Sequence, residues 1–476
     1  MTIVTSADPG LGELLEKQRR QFRSQRSSTG AQRRKRIQCV IDMLVARTDE
    51  IVDAIDADFG GRHPGYSTTN DVLGSLSALK YARDRLEEWM RPQQRTPFSP
   101  YDQLGATASV HYQPKGSVAI IGTWNAPVFT LLSPLAGVLA AGNRAVLKPS
   151  EVVPHTSRAL ADAAVEFLDP ADIAVVTGGP DVAKALTSLP FDHIVFTGGE
   201  AAGRSVMANA ALNLVPVTLE LGGKSPVIVG RSADIATAAY RIAVGKATNS
   251  GQLCVGPDTV YVPAEALEPF LDAVGATYRE LFPTIAGNPD VTAIVDDRHV
   301  ARIDGYVRQA QELGARVVVT PDEPGTTDER RRPLRIVVDP PESAAVSQEE
   351  IFGPVMVVRA YDDLGQVLGA INSGRKPLAL YWFGQDDDER RIVLECTTSG
   401  GVTINDIAMH PGMLDAPFGG IGSSGMGHYN GREGFLEFSH TRTVFVSPEC
   451  DPRREWGMLP PYADGYRAGM SAQVTP

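Results

Sequence analysis

The chain has 476 residues, 43% hydrophobic and 21% charged, with 45 basic against 57 acidic side chains and a net charge of −12. At roughly 150 residues per domain, this length predicts about three domains and a core large enough to fold without a disulfide scaffold. The acidic balance argues against nucleic acid or an anionic membrane as a partner. The four scattered cysteines, Cys39, Cys254, Cys396 and Cys450, read as those of a reduced, cytoplasmic protein.

The basic stretch from Lys17 to Arg36 holds nine Lys/Arg and no acid. It is expected to be a solvated helix face rather than a nucleic-acid arm, and the acids Asp8, Glu13 and Glu16 before it argue against a transit peptide. Ile37, Ile41, Leu44, Ile51 and Ile55 recur at helical spacing, and a second helix is predicted over 71–90. Pro92, Pro97 and Pro100 then break the chain, and 107–112 alternates like a strand. From residue 117 apolar strands alternate with helices: 117–121, 144–147, 173–176, 193–196, 217–221 and 227–229 read as strands. Helices are predicted near 156–168, 181–188 and 234–249. This is the texture of an α/β protein with a doubly wound parallel sheet. The apolar run 126–142 is too short for a bilayer and contains Pro134, so a buried core helix is predicted. Further strands are expected at 259–262, 316–319, 335–338, 355–360 and 378–382, followed by a Pro- and Gly-rich tail.

Several motif matches fail on context. Gly420-Ile-Gly422-Ser-Ser-Gly425 has the dinucleotide-binding spacing, but Pro417-Phe418 precedes it and only 51 residues follow, so it reads as a tight loop. Gly222-Gly-Lys-Ser225 lacks the first glycine of a phosphate loop, and Met426 spoils a serine-hydrolase elbow. The eight histidines form no metal-binding cluster, so no metal site is expected.

One constellation does carry chemistry. Asn249-Ser-Gly-Gln-Leu-Cys254-Val-Gly-Pro places a cysteine among small residues at a helix end. Thr218-Leu-Glu220-Leu-Gly-Gly-Lys-Ser-Pro226 puts a carboxylate in an apolar, glycine-rich segment, and Thr123-Trp124-Asn125-Ala-Pro offers an amide after a buried strand. Glu349-Glu350-Ile-Phe352-Gly-Pro pairs an acid with an aromatic ring. With Lys148-Pro-Ser-Glu151 and Phe196-Thr-Gly198-Gly199-Glu-Ala-Ala-Gly203, six motifs stand in one order. Together they resemble the aldehyde dehydrogenase superfamily along nearly the whole chain. Asn405-Asp406, the glycine cluster 417–427 and Phe438-Ser-His440 are similar to class 3 members, with the bacterial coniferyl-aldehyde dehydrogenases as the nearest branch.

The resemblance implies a Rossmann-type NAD-binding domain (1–100 and 115–223), an α/β catalytic domain (224–430) and a small β oligomerisation element with the C-terminal tail (101–114 and 431–476). It also implies a homodimer. Cys254 is the implied nucleophile, Asn125 the implied oxyanion donor and Glu220 the implied base. Lys148 and Glu151 are assigned to the adenosine ribose, and Gly198, Gly199 and Gly203 to the turn beneath the pyrophosphate. Glu350 is assigned to the nicotinamide ribose, with Trp124 and Phe352 beside it. The reaction implied is oxidation of an aldehyde to its acid with NAD, NADP also being possible, through a thiohemiacetal and a thioester on Cys254. Gly199 replaces a common Ser of the family. Leu253 replaces a common Thr, which makes the substrate wall more apolar and suggests a hydrophobic, aromatic or medium-chain aldehyde. The alternatives are a CoA-acylating enzyme, against which Glu220 argues, and a non-catalytic protein on the same scaffold.

Overall fold

The computed structural model describes residues 10–25, 28–322 and 330–476; Asp8 and Arg26 lie outside them. Two α/β sheets and one small antiparallel sheet organise the chain. In the first sheet Ser117–Ile121 sits centrally, buried at every position. Arg144–Lys148 and Ile173–Val175 lie to one side of it, His193–Gly198 and Val217–Leu221 to the other, all parallel. The strand order therefore reverses beside Ser117–Ile121, and the crevice at the carboxyl ends there is where open α/β sheets bind ligands.

The second sheet runs Arg316–Thr320, Leu334–Val338, Val355–Tyr361, Thr259–Pro263, Pro226–Val229, Ala379–Phe383, Gly401–Ile404, and only its Arg316–Thr320 edge is antiparallel. One short strand returns across the boundary: Gly425–Met426 pairs antiparallel with Leu219 and Glu220 of the first sheet. The glycines of that loop need their bareness, since a Cβ on Gly425 would collide with the Leu219 carbonyl and one on Gly420 with that of Ser424. The segment 420–425 is thus a tight loop. The small sheet joins Gln93–Arg95 and Thr107–Pro114 to Ser439–Val446.

The run 126–142 forms the helix Phe129–Ala140, buried at every position from Thr130 onward, with Pro134 inside it. It packs against the helix Gly74–Trp89, which enters through a π-helical turn, Thr68–Leu73. Among the described residues no helix is long and apolar enough to cross a membrane.

The basic stretch is the expected solvated face only in part: Lys17, Arg20, Arg23 and Lys35 are exposed. Arg33 and Arg36, on the helix Gly30–Ala46, are buried. Arg33 donates to the Ala140 carbonyl (2.9 Å), and Arg36 shares Asp172 with Arg144, at 3.1 and 2.6 Å. Buried cations persist when paired, and Asp172 lies too far along the chain to be seen from the stretch itself.

Candidate active site

A cavity of about 950 Å³ opens at the carboxyl ends of the first sheet and faces the loops of the second. Eight of the eleven residues singled out above line it: Trp124, Asn125, Gly198, Gly199, Glu220, Cys254, Glu350 and Phe352; Lys148, Glu151 and Gly203 do not.

Cys254 is carried past the helix Ile235–Ala247 by a left-handed turn, with Asn249 at φ 51°, Ser250 at 50° and Gly251 at 71°. Such conformations cost on the order of 1–3 kcal/mol for residues other than glycine, so the surroundings must hold them. Buried Gln252 does much of this. Its Nε2 donates to the carbonyls of Asn249 (3.0 Å) and Ala293 (3.1 Å), and its Oε1 accepts from the Val295 N–H (3.0 Å). Burial, then the charges of Glu350 and Glu220, push the Cys254 thiol up to about 12, opposed by the backbone N–H groups of Cys254 and Val255.

Asn125 lies against this turn. Its Nδ2 donates to the Gln252 carbonyl (3.0 Å), and its own carbonyl accepts from Asn249 Nδ2 and Arg62 Nη1, both at 3.2 Å. An amide nitrogen has two protons, so one remains for a ligand. Arg62 is itself anchored to Asp71 (2.6 Å), and both side chains are fully buried.

Glu220 ends a strand, 2% exposed, and neither of its carboxylate oxygens completes a hydrogen bond. Burial raises its pKa well above the usual range; the Gly420 N–H faces it and works weakly the other way. Glu350 lies over Gly222, where a Cβ would strike its carboxylate. Burial pushes Glu350 up to about 7 against the Gly223 N–H, with Asp258 adding to the rise and Arg302 and Lys224 opposing it. Phe352, at φ 50°, meets Trp124 edge to face with ring centroids 5.3 Å apart.

Further along the crevice, Lys148 is buried and pairs with exposed Glu151 (3.0 Å). Gly199 precedes the helix Glu200–Ala211, has no side-chain cap and leaves its Cβ position open. A Cβ on Gly203 would come within 2.7 Å of the Leu221 side chain, so this glycine lets helix and strand pack closely.

The sequence reading missed Arg62, Asp71, Tyr66, Tyr429 and the Lys224–Asp258 ion pair. Gln252 and Lys224 were readable in principle, since they sit inside the cysteine and Glu220 motifs; the others stand in no motif. Among the described residues no group of three or more His, Cys, Asp or Glu is placed to hold a metal.

Two mostly parallel sheets with a cysteine, a buried carboxylate and an amide on one cavity are the layout of a dinucleotide-dependent oxidoreductase. The family model "Aldehyde dehydrogenase family" matches residues 8–444, and the chain belongs to that family. It is an NAD(P)-dependent aldehyde dehydrogenase, oxidising an aldehyde to the acid. It is 46% identical over 447 residues to a probable coniferyl aldehyde dehydrogenase of Caulobacter vibrioides, covering 92% of each chain. The substrate-bound state of Staphylococcus aureus AldH superposes with a TM-score of 0.90 at 31% identity, covering 98% of this chain and 99% of that one. Relatives differ in cofactor. Mycobacterium tuberculosis aldehyde dehydrogenase, complexed with NAD+, matches at TM-score 0.84 and 28% identity over 95% of this chain and 92% of that one. The dimeric NADP-preferring aldehyde dehydrogenase of Canis lupus familiaris is 34% identical over 443 residues, 92% of this chain and 95% of its own.

Proposed function

We propose that Cys254 loses its thiol proton to solvent and attacks the aldehyde carbon as the thiolate, that Asn125 Nδ2 and the Cys254 N–H bind the resulting oxyanion, and that Glu220 deprotonates the water that releases the acid. The observation that carries this reading is the convergence of the three groups on one cavity, with Glu220 buried and unpartnered. A carboxyl raised by burial is a stronger base when ionised, which suits proton abstraction from water. The thiohemiacetal on Cys254 loses hydride to become a thioester. Water then adds to the acyl carbon, its proton goes to Glu220, and the C–S bond breaks to free the acid and the sulfur.

The cradle fits a dinucleotide. The uncapped N-terminus after Gly199 suits a pyrophosphate, and when bound the oxidised nicotinamide supplies the hydride acceptor. We assign Lys148 and Glu151 to the adenosine ribose and Glu350 to the nicotinamide ribose, with Trp124 and Phe352 packed at that end. Gly198, Gly199 and Gly203 shape the turn beneath the phosphates. The exposed carboxylate of Glu151 opposes a 2′-phosphate, so NAD is favoured over NADP.

Tyr66, Phe129, Leu253 and Phe418 line the cavity and favour a hydrophobic, aromatic aldehyde, in line with the coniferyl aldehyde named for the Caulobacter relative. The assembly proposed is a homodimer through the small sheet. Its outer strand Ser439–Val446 pairs on one side only among the described residues, with Phe445 39% and Val446 56% exposed. Four unpaired cysteines support a cytoplasmic location. The test is an aldehyde panel assayed with NAD and with NADP, alongside Cys254→Ala and Glu220→Gln. Cys254→Ala abolishes NADH formation, and Glu220→Gln accumulates an acyl adduct on Cys254 seen by mass spectrometry. Steady wild-type turnover in either variant overturns the assignment.

A further inference from the structure

Water that hydrolyses the thioester must touch the acyl carbon on Cys254 and the carboxylate of Glu220 at once. Tyr66, Thr197 and Tyr429 are polar side chains that border this cavity, and of Tyr66 and Tyr429 the latter is the one that feels both Glu220 and Cys254. Tyr429 borders the cavity with Glu220 and Cys254 and is only 2% exposed. Its backbone exchanges two hydrogen bonds with Phe418 (2.8 and 2.9 Å), and the two rings meet edge to face at 5.7 Å. Gly434 closes from behind, since a Cβ there would lie 3.2 Å from the Tyr429 Cα.

We propose that Tyr429 is a catalytic residue of the hydrolytic step, its phenolic oxygen holding the water that Glu220 deprotonates. This rests on the roles given above to Cys254 and Glu220. A buried water needs two to four polar partners, and the bare carboxylate of Glu220 offers only part of that set. With one O–H directed at Glu220 and the other at Tyr429 Oη, the water keeps a lone pair for the acyl carbon. The reaction balances without a further reagent: oxygen bonds to carbon, one proton passes to Glu220, and the C–S pair leaves with sulfur. The phenol stays neutral while it does this, because burial, with Glu220 close by, holds its proton on. It therefore adds no charge against the tetrahedral oxyanion.

Rapid-quench experiments with the full chain, an aldehyde and the dinucleotide separate the two half-reactions. The NADH burst reads acylation, and the decay of the acyl mass on Cys254 reads deacylation. For Tyr429→Phe the expected result is acylation within about two-fold of wild type and deacylation about ten-fold slower, the effect of one hydrogen bond, with an unchanged melting temperature. Hydroxylamine, which needs no oriented water, should release the acyl group from both proteins at equal rates. Unchanged deacylation, equal slowing of both steps, or slower release by hydroxylamine in the variant would each overturn the proposal. A wild-type protein that forms no acyl adduct would instead overturn the roles of Cys254 and Glu220.

Discussion

Replacing Asp71 with alanine tests whether the N-terminal helices build the active site or merely cover it. Asp71 is fully buried and accepts four hydrogen bonds. They come from Arg62 Nη2 (2.6 Å), Asn70 Nδ2 (3.2 Å), and the N–H groups of Val128 (3.1 Å) and Phe129 (3.3 Å) where the core helix begins. Its loss strands the Arg62 guanidinium without a counter-charge, which costs about 3–5 kcal/mol for a buried pair. The lost cap adds about 1 kcal/mol. We expect urea unfolding to show a deficit of about 4 kcal/mol or more. Activity falls as well, because Arg62 Nη1 is one of the two donors that fix the Asn125 carbonyl. The double variant Arg62→Met, Asp71→Leu separates the two effects. An apolar pair of similar volume restores much of the stability but cannot hold the Asn125 carbonyl, so kcat/KM stays low. A deficit under about 1 kcal/mol for Asp71→Ala, or full activity in the double variant, refutes the reasoning.

Three further outcomes are expected. Asn125→Ala should lower kcat/KM by about 10²–10³, or about 3–4 kcal/mol, as loss of one oxyanion donor does; a loss under ten-fold removes it from that role. With the thiol of Cys254 pushed up to about 12, its alkylation by iodoacetamide, read on its own peptide and without dinucleotide, should rise about ten-fold per pH unit from 7 to 10. A plateau near pH 8.5 contradicts this. Glu350, at about 7 folded against 4.5 for a free glutamate side chain, binds its proton more tightly when folded. Its contribution is therefore full below about pH 4.5 and is lost as pH rises through 7, on the order of 3 kcal/mol. Denaturation of Glu350→Gln at pH 5 and pH 8 should lack that decline relative to wild type.

What the chain reveals of itself depends on how far away the partners are. Ser117–Ile121 occurs where expected, because a parallel strand buried on both faces is a nearly continuous apolar string; Val217–Leu221 also occurs where expected, although Thr218 and Glu220 interrupt its apolar run. Gly401–Ile404 went unread, since four residues with a leading glycine carry no periodicity. Ser439–Val446 alternates polar and apolar residues only weakly and becomes a strand by pairing eight residues with Thr107–Pro114, a partner that only the resemblance brought near it. The helix predicted over 71–90 starts later, at Gly74, because Asp71 lies in the π-helical turn that turns its carboxylate toward Arg62. In the site, Cys254, Glu220 and Asn125 were legible because each stands in a dense local motif. Arg62 was not, because its contact with Asn125 spans 63 residues. Tyr429 sits beside a glycine cluster whose meaning, a loop folded back to pair with the Glu220 strand, exists only in three dimensions.

The charge pattern around Cys254 bears on direction as well as on chemistry. After burial itself, the charged groups that push its thiol up are acids, Glu350 and then Glu220, and the backbone N–H groups of Cys254 and Val255 act the other way. For nucleophilic attack alone this is a poor setting, because it keeps the sulfur protonated in the resting protein. For turnover it has a use. The aldehyde enters neutral and is indifferent to the field, but the product of hydrolysis is a carboxylate. Above about pH 7 Glu350 is ionised, and a second negative charge brought close to it is unfavourable. The same acids that hold the thiol dormant therefore oppose rebinding of the acid, and weak product inhibition above pH 7, strengthening as pH falls or in Glu350→Gln, is the consequence.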